Sequence, residues 1–173
     1  MEHELIDLLN EKGKRIGTID KAIAHRDGLW HRSVHVWIVN SKGEMLFQKR
    51  CADKNFFPNF WDCSFSGHIA AGESSAMAAV REGKEEIGLD VRDKELQFLF
   101  TFKEELIWDN INSKEFVDVY LIKKDIEEKD LCYQKEEVAE AKFFDIGWMY
   151  KNIKNPEFFP HYEEYEMLKE YLL

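Results

Sequence analysis

The sequence predicts an α/β fold in which helices cover a mixed β-sheet. Strand-like segments stand both before and after one central helical segment, and a second, amphipathic helix is predicted at the end of the chain. Elements in this order pack as layers around a sheet. With 173 residues, 45% of them hydrophobic and 14% aromatic, the chain is long enough for one core and short for two. We therefore expect one domain over residues 1–173.

The first half of the chain predicts paired strands. Residues 3–17 have the pattern of strand, turn and strand, and we expect them to form an N-terminal strand extension within residues 1–30. Residues 33–50 predict a clearer hairpin, because apolar residues alternate on its first arm and a turn containing Asn40 and Gly43 follows. A proline-asparagine break and an aromatic-rich extended segment then lead towards the central helix.

The second half predicts two helices and further strands. Helical periodicity runs from about Ser74 to Ile87, and Gly88 is a natural C-terminal stop. The remaining elements are strands in 95–106 and 115–124, a short turn or helix with an edge strand in 137–149, and an amphipathic helix in 160–173 that presents Tyr162, Tyr165, Leu168 and Leu172 on one face.

The composition disfavours several classes of protein. The chain has 24 basic and 34 acidic residues, a net charge of −10, so we expect no nucleic acid partner and an acidic surface that attracts cations. Cys51, Cys63 and Cys132 are irregularly spaced and predict neither a disulfide framework nor a zinc site. The N-terminus is charged from residue 2, and no apolar run approaches the length of a membrane span. We expect a soluble cytoplasmic protein without a membrane partner.

Three glutamates of the central helix lie close together. At about 100° per residue, Glu82, Glu85 and Glu86 fall within an arc of about 100°, and Arg81 lies at its edge. The opposite face is predicted to pack on the core, while Ala78, one turn before Glu82, keeps the acidic side open to an approaching group. The predicted core face consists of Ala76, Val80 and Ile87, with Met77 nearby.

Two interpretations of this acidic arc remain open from the helical wheel. A solvated face is one, although solvated faces more often alternate charges, and here only Arg81 can neutralise the cluster locally. Metal binding is the other, because three crowded carboxylates must share a cation or hold a raised pKa. Ligands made only of oxygen suit Mg²⁺ or Mn²⁺.

The spacing around the arc resembles the Nudix box, G-x5-E-x7-R-E-U-x-E-E-x-G-U, in which U is a bulky aliphatic residue. The matching residues are Gly67, Glu73, Arg81, Glu82, Glu85, Glu86, Gly88 and Leu89. The exception is Gly83, which stands where the family has an aliphatic residue. From this departure we expect poorer packing, a helix weaker by about 1 kcal/mol than with alanine, and less rigidly held glutamates.

The resemblance implies an α/β/α sandwich with a mixed sheet, and an enzyme that hydrolyses a nucleoside diphosphate linked to another moiety. It also implies a divalent metal, Mg²⁺ or Mn²⁺, which neutralises the diphosphate and lowers the pKa of a bound water. The implied ligands are Glu82, Glu85, Glu86 and the carbonyl of Gly67. Glu73 and Arg81 are implied to orient them.

The general base and the substrate contacts are less well defined. The base of this family varies and often lies outside the box, and the sequence does not choose among its candidates. These candidates are Glu86, Glu104, Glu105 and Glu115. The candidates for holding a phosphate or another part of the substrate are Arg26, Arg32, Lys49, Arg50 and Glu115.

A longer stretch resembles the subgroup that contains type 1 isopentenyl diphosphate isomerases and their hydrolase relatives. The similar segments are residues 7–50 and 57–74. Those isomerases hold a metal with three histidines and two glutamates, and they use a cysteine just before the Gly-His of the box. His25, His31 and His68 stand at or near the histidine positions, so an isomerase is a rival to the hydrolase.

Departures from the isomerase pattern favour the hydrolase. Ser66 occupies the place of the cysteine, and a hydroxyl is a far weaker acid than a thiol. Glu115 is flanked by Lys114 and Phe116, so the pair of strand glutamates is incomplete. Isomerases also tend to have a degraded box, whereas this one keeps every carboxylate.

Other interpretations concern the histidines and the assembly. Hydrolase relatives share the segment with His25 and His31, so hydrogen-bonded structural histidines are the favoured interpretation. A protein that binds a nucleotide without turning it over is a third functional alternative. The expected partner is a small nucleotide or diphosphate compound, and the N-terminal strands offer a surface for a homodimer.

Overall fold

The structure is a computed structural model that describes residues 4–173. The strands are β1 (Leu5–Leu9), β2 (Arg15–Asp20), β3 (Trp30–Val39), β4 (Glu44–Arg50), β5 (Trp61–Asp62), β6 (Phe65–His68), β7 (Gln97–Trp108), β8 (Ile111–Lys123) and β9 (Val138–Asp145). The helices are α1 (Lys21–Asp27), α2 (Ser75–Ile87), α3 (Ile146–Asn152) and α4 (Tyr162–Leu172).

The main sheet of the described chain has seven strands and is mixed. Its order is β5-β4-β3-β8-β7, with β6 paired to β3 and β9 paired to β4. β3 and β8 run parallel over the whole length of β3, while the other pairs are antiparallel. The prediction of a mixed sheet is therefore confirmed.

Helices cover both faces of this sheet, which gives the expected α/β/α sandwich. On one face, α2 packs over a buried cluster that includes Val36, Ile38 and Phe65. On the other face, α3 and α4 pack over a cluster that includes Trp37 and Phe47. Because neighbouring residues of β3 point to opposite faces of the sheet, one strand supplies both cores.

The bounds of α2 agree with the prediction, and its buried face agrees in part, since Ile87 is buried and Val80 packs against the core as expected. Ser74 caps the helix through its side chain, which accepts from the amide of Met77, and Gly88 ends it in the left-handed conformation. Met77 is 63% exposed, whereas Ala78 is fully buried in the core instead of bordering an open acidic side. The buried residues of α2 are Ala78, Ala79, Glu82, Gly83 and Ile87.

Gly83 is not the packing defect that the sequence suggested. A Cβ built there would lie 3.0 Å from Cγ2 of Val91 and 3.1 Å from Cζ of Phe65. The aromatic ring and the valine thus occupy the space that an aliphatic side chain would take. The helix is close-packed at this position without one.

The N-terminal segment contains a helix that was not predicted. β1 and β2 pair as a separate hairpin, and α1 follows, capped by Asp20 and ended by Gly28 in the left-handed conformation. The hairpin is joined to the main body by backbone contacts of β1, where the amide of Ala71 donates to the carbonyl of Leu5 at 2.9 Å. This contact brings α1 beside the loop that follows β6.

Two other elements differ in detail from the sequence pattern. Residues 137–149 form β9 and then α3, and β9 is an edge strand because β4 is its one paired neighbour in the described chain, so both predicted elements are present with the strand before the helix. In α4, Tyr165 and Leu168 are buried as expected, but Tyr162 is 49% exposed. No helix within residues 4–173 is long and apolar enough to cross a membrane.

Candidate active site

Arg81 is the centre of the carboxylate cluster. Its Nε and Nη2 lie 3.1 and 3.0 Å from the two oxygens of Glu73, and Nη2 also donates to the carbonyl of His68 at 3.0 Å. Its Nη1 lies 2.5 Å from Oε1 of Glu82 and 3.4 Å from Oε2 of Glu85. The hydrogen bonds with Glu73 raise the pKa of Arg81, which is therefore a permanent positive charge.

Glu82 lies directly against the backbone of β6. A Cβ built on Gly67 would stand 2.1 Å from Cδ of Glu82, so only glycine leaves room for the carboxyl group. Burial raises the pKa of Glu82 to about 7, and the nearby charge of Glu86 adds to the effect. A cation placed here would favour the ionised form.

Glu86, one turn further along α2, is held by donors on β6 and β4. Its Oε2 accepts from the amide of Ser66 at 3.0 Å and from Nε2 of Gln48 at 2.9 Å. Burial raises the pKa of Glu86, although these two hydrogen bonds act against that rise. One oxygen of Glu86 is thus fixed by protein donors.

These carboxylates line a cleft of about 570 Å³. Its acidic wall comes from α2, and cationic side chains face it from α1, from the end of β4 and from the loop that follows β4. The lining includes Glu82, Glu85, Glu86, Ser66, Gly67, His68, Lys21, Arg50 and Lys54, together with Glu4 and Glu137, which pair with Lys21 and Lys54. A site with both an acidic and a basic wall can hold a cation and an anion side by side.

Two of the cations were not singled out from the sequence. Lys21 begins α1 and pairs with Glu4, and Lys54 pairs with Glu137. Burial lowers the pKa of Lys54, and the neighbouring charge of Arg50 lowers it further. Neither lysine stands in a motif, and only the fold brings them to the box.

The other residues named from the sequence are distributed around the cleft. Arg50 lines it, whereas Arg32 pairs with Asp118 of β8, and Nζ of Lys49 lies 5.6 Å from the ring centre of Trp61. The remaining sequence candidates lie outside the cleft lining: Arg26 pairs with Asp27, Glu105 pairs with Lys114, Glu104 contacts His161, and Glu115 lies among the histidines.

His25, His31 and His68 do converge. Nε2 of His25 lies 3.3 Å from Nε2 of His31 and 3.1 Å from Nε2 of His68, and Oε1 of Glu115 lies 3.6 Å from His31 and 3.9 Å from His68. The four ligand atoms are within 4.8 Å of one another. Burial lowers the pKa of His25 and of His68, which favours the neutral imidazole, the form that binds a metal.

The alternation of side chains along β8 determines which residues lie on the same face as Glu115 and could join the histidine cluster. Lys114 and Phe116 point to the other face of β8, and the residues on the same face as Glu115 are Ser113 and Val117. The hydroxyl of Ser113 donates to Oε1 of Glu115. The cluster therefore has three imidazoles and one carboxylate within the described residues, and no second glutamate on that strand face.

The family follows from a comparison with known proteins. A family model of the NUDIX domain matches residues 29–163. An uncharacterized Nudix hydrolase of Listeria monocytogenes is 37% identical over 159 residues, which cover 90% of this chain and 88% of that protein. The chain belongs to the Nudix family. It is a Nudix hydrolase, an enzyme that acts on phosphorus anhydrides, and the family generally uses divalent metal cations.

Further relatives differ in how much of their length is shared. Nudix hydrolase 3 of Arabidopsis thaliana is 36% identical over 178 residues, 99% of this chain and 23% of that protein. The isopentenyl-diphosphate Delta-isomerase of Escherichia coli is 36% identical over 96 residues, 55% of this chain and 53% of that protein. The likeness to an isomerase is thus real but covers about half of the chain.

Solved structures agree on the fold. A Deinococcus radiodurans protein superposes with a TM-score of 0.73 at 22% identity, covering 96% of this chain and 98% of that one. The Nudix domain of a Shewanella oneidensis protein, solved with ADP-ribose, superposes with a TM-score of 0.59 at 16% identity, covering 82% of this chain and 87% of that one. At these identities the likeness concerns the fold alone.

Proposed function

We propose that this hydrolase cleaves the diphosphate linkage of a nucleoside diphosphate derivative, with Mg²⁺ or Mn²⁺ bound by the carboxylates of α2. The observation that carries the proposal is the cleft itself, where an acidic wall and a basic wall face each other. The acidic wall is Glu82, Glu85 and Glu86, and the basic wall is Lys21, Arg50 and Lys54.

The residues at the acidic wall fit a divalent cation. Their donor atoms are carboxylate oxygens, the type that Mg²⁺ and Mn²⁺ prefer. The raised pKa of Glu82 and of Glu86 reflects buried carboxylates that lack sufficient positive charge. Oε1 of Gln48 is also buried without a partner within residues 4–173, and water around a hydrated cation would satisfy it.

Some side chains of the cleft orient the carboxylates, and others bind the phosphates of the substrate. Arg81 holds Glu73 and Glu82 in place, while Ser66 and Gln48 fix one oxygen of Glu86. The lysines and Arg50 bind the phosphates of the substrate by charge-assisted hydrogen bonds. When bound, the cation neutralises the diphosphate and lowers the pKa of the attacking water. Glu86, whose pKa is raised by burial, would accept the proton of that water.

A panel of substrates with Mg²⁺ tests the proposal. The panel contains ADP-ribose, which the Shewanella oneidensis domain binds, together with dinucleoside polyphosphates and nucleoside triphosphates. We expect release of a mononucleotide or a phosphorylated fragment from at least one member. Binding of these compounds without any release would favour the non-catalytic alternative.

An isopentenyl diphosphate isomerase is the second candidate, and the convergence of three histidines and Glu115 favours it. Those ligand atoms would hold a divalent transition metal. The serine at position 66 and the serine at position 113 count against it, because a thiol and a second carboxylate are both missing.

The variant Ser66→Cys separates the two candidates. We expect that it brings no isomerisation, because protonation of an unactivated alkene still lacks the second acid–base group. We also expect diphosphate hydrolysis to persist, since only the backbone amide of Ser66 contacts Glu86. Deuterium incorporation from heavy water into isopentenyl diphosphate, well above background in the wild type or the variant, would overturn the hydrolase assignment.

A further inference from the structure

A buried network of charged side chains lies between α4 and the sheet, beside the cleft. His161, at the N-cap of α4, is its centre and is 2% exposed. Its Nδ1 lies 2.6 Å from Oε1 of Glu104 on β7, and its Nε2 lies 3.0 Å from Oδ1 of Asp62 on β5. No residue of the Nudix box takes part in it.

In this network, the number of carboxylates equals the number of basic side chains. Glu164 accepts from Nδ1 of His35 at 2.8 Å and from Nε1 of Trp37 at 2.6 Å. Asp62 also contacts Arg50, so three carboxylates face two imidazoles and one guanidinium. Burial acts against ionised imidazoles, but the surrounding carboxylates outweigh it and raise the pKa of His35 and of His161. A metal ion here would have to displace hydrogen bonds that are already complete.

One arm of the network reaches into the cleft. Oδ2 of Asp62 accepts from Nη1 of Arg50 at 3.1 Å, and Nε of Arg50 donates to the carbonyl of Phe56 at 3.1 Å. The guanidinium carbon of Arg50 lies 5.5 Å from the ring centre of Phe159. The ring of Phe159 stacks on that of His161, with 4.2 Å between the ring centres and 13° between the ring planes. In residues 4–173, no hydrogen bond is formed by Nη2 of Arg50, which is therefore free for a ligand.

We propose that His161 is a positioning residue for substrate binding, which acts by holding Asp62 so that Arg50 presents Nη2 to a phosphate in the cleft. The proposal rests on the proposed diphosphate hydrolysis at the same cleft. It assigns the start of α4 a role in binding, although this helix lies on the opposite face of the sheet from the box.

Two matched variants of His161 separate positioning from folding. Asparagine places its amide nitrogen near the position of Nδ1, so it keeps the bond to Glu104 and loses the bond to Asp62. Glutamine places its nitrogen near Nε2, so it keeps the bond to Asp62. Both remove the same charge. We expect His161→Asn to raise KM about tenfold with kcat within about twofold, and His161→Gln to raise KM much less.

Arg50→Ala supplies the second half of the test. If His161 acts through Arg50, His161→Asn has no further effect on KM when Arg50 is already alanine. The wild type, both His161 variants, Arg50→Ala and the double variant are titrated calorimetrically with inorganic pyrophosphate in the presence of Mg²⁺, and melting temperatures report folding. We expect the dissociation constants to follow the same pattern as KM.

The results distinguish this inference from the proposed function. A wild-type protein that binds pyrophosphate but hydrolyses nothing would refute the proposed function, while the dissociation constants would still decide the role of His161. Equal weakening by the asparagine and glutamine variants, or an undiminished effect of His161→Asn in the Arg50→Ala background, would overturn the positioning role. Absence of pyrophosphate binding by the wild type would overturn it as well.

Discussion

Gly67 and Glu82 illustrate how single residues set the geometry of the cleft. The carboxyl group of Glu82 occupies the space in which a side chain at position 67 would stand. At the preceding residue of β6, the amide of Ser66 donates to Glu86. The backbone of β6 thus contacts two carboxylates of α2 and limits their positions.

Gly67→Ala tests this contact. Because the new Cβ would meet Cδ of Glu82 at 2.1 Å, the carboxyl group must move. We expect kcat to fall about 10²-fold, the scale associated with a displacement of about 1 Å in an active site. Gly17→Ala is the control, since its Cβ would meet only Cδ2 of Leu8 at 4.0 Å, and it should keep the wild-type rate. Equal rates for both variants would contradict the account.

Glu86→Gln keeps the shape of the side chain and removes its charge. We expect kcat to fall by at least about 10²-fold, because the residue lies at the proposed cation site and is the favoured base. Glu105→Gln, in a surface ion pair with Lys114, serves as the control and should stay near the wild-type rate. Steady-state kinetics at saturating Mg²⁺ measure both. A near-normal Glu86→Gln enzyme would mean that the cluster is a surface feature.

At the scale of the elements, α2 shows what the sequence could predict and what it could not. Its bounds were predictable because Ser74 and Gly88 are local capping signals. Its buried face was predictable only in part, because the helical wheel places Ile87 inwards but places every charge outwards, whereas Glu82 packs against Gly67 of β6. β6 is held there by its pairing with β3, a contact distant in sequence that no helical period contains.

The close packing around Gly83 predicts how a substitution in α2 affects stability. Leucine at this position restores the aliphatic residue of the box, but Phe65 and Val91 already occupy the space. We expect Gly83→Leu to destabilise the protein by about 1–3 kcal/mol, the usual cost of overpacking. Lys84→Leu, on the exposed side of the same helix, should change stability by less than about 0.5 kcal/mol. Urea denaturation measures both, and a stabilised Gly83→Leu variant would show that the space is free.

At the scale of the whole molecule, the cleft is assembled from distant parts of the chain. The N-terminal hairpin and α1 bring Lys21, β4 ends in Arg50, and the segment before α4 holds Asp62 through His161. The box alone could be identified from its spacing. Of the basic wall, only Arg50 was named from the sequence, because Lys21 and Lys54 stand in no motif and only the fold brings them to the cleft. The three histidines were named from the sequence, but only the structure shows that they meet.

The buried network predicts how stability depends on pH. The pKa of His161 is raised in the folded state, so its contribution is fully present below about pH 6.5, its unfolded value, and is lost as the pH rises through the folded value. Asp62 and Glu164 have lowered pKa values, so their contributions are lost only as the pH falls below about 4. The charged groups that face His161 are Asp62 on β5, Glu104 on β7, and His35 and Glu164 on β3 and α4.

Unfolding in urea at pH 5.5, 7.5 and 9 measures this dependence. The difference in unfolding free energy between the wild type and His161→Gln should be largest at pH 5.5 and should shrink at pH 9. A difference that stays constant or grows with pH would mean that His161 is neutral in the folded protein.

The metal dependence of hydrolysis tests the central claim most directly. The rate of product release from the best substrate of the panel is measured in excess chelator and then after addition of millimolar Mg²⁺ or Mn²⁺. Because Glu82, Glu85 and Glu86 crowd their charges in one cleft, we expect turnover to vanish in chelator and to return with the metal. Undiminished turnover in excess chelator would contradict the assignment of the cluster as the catalytic metal site.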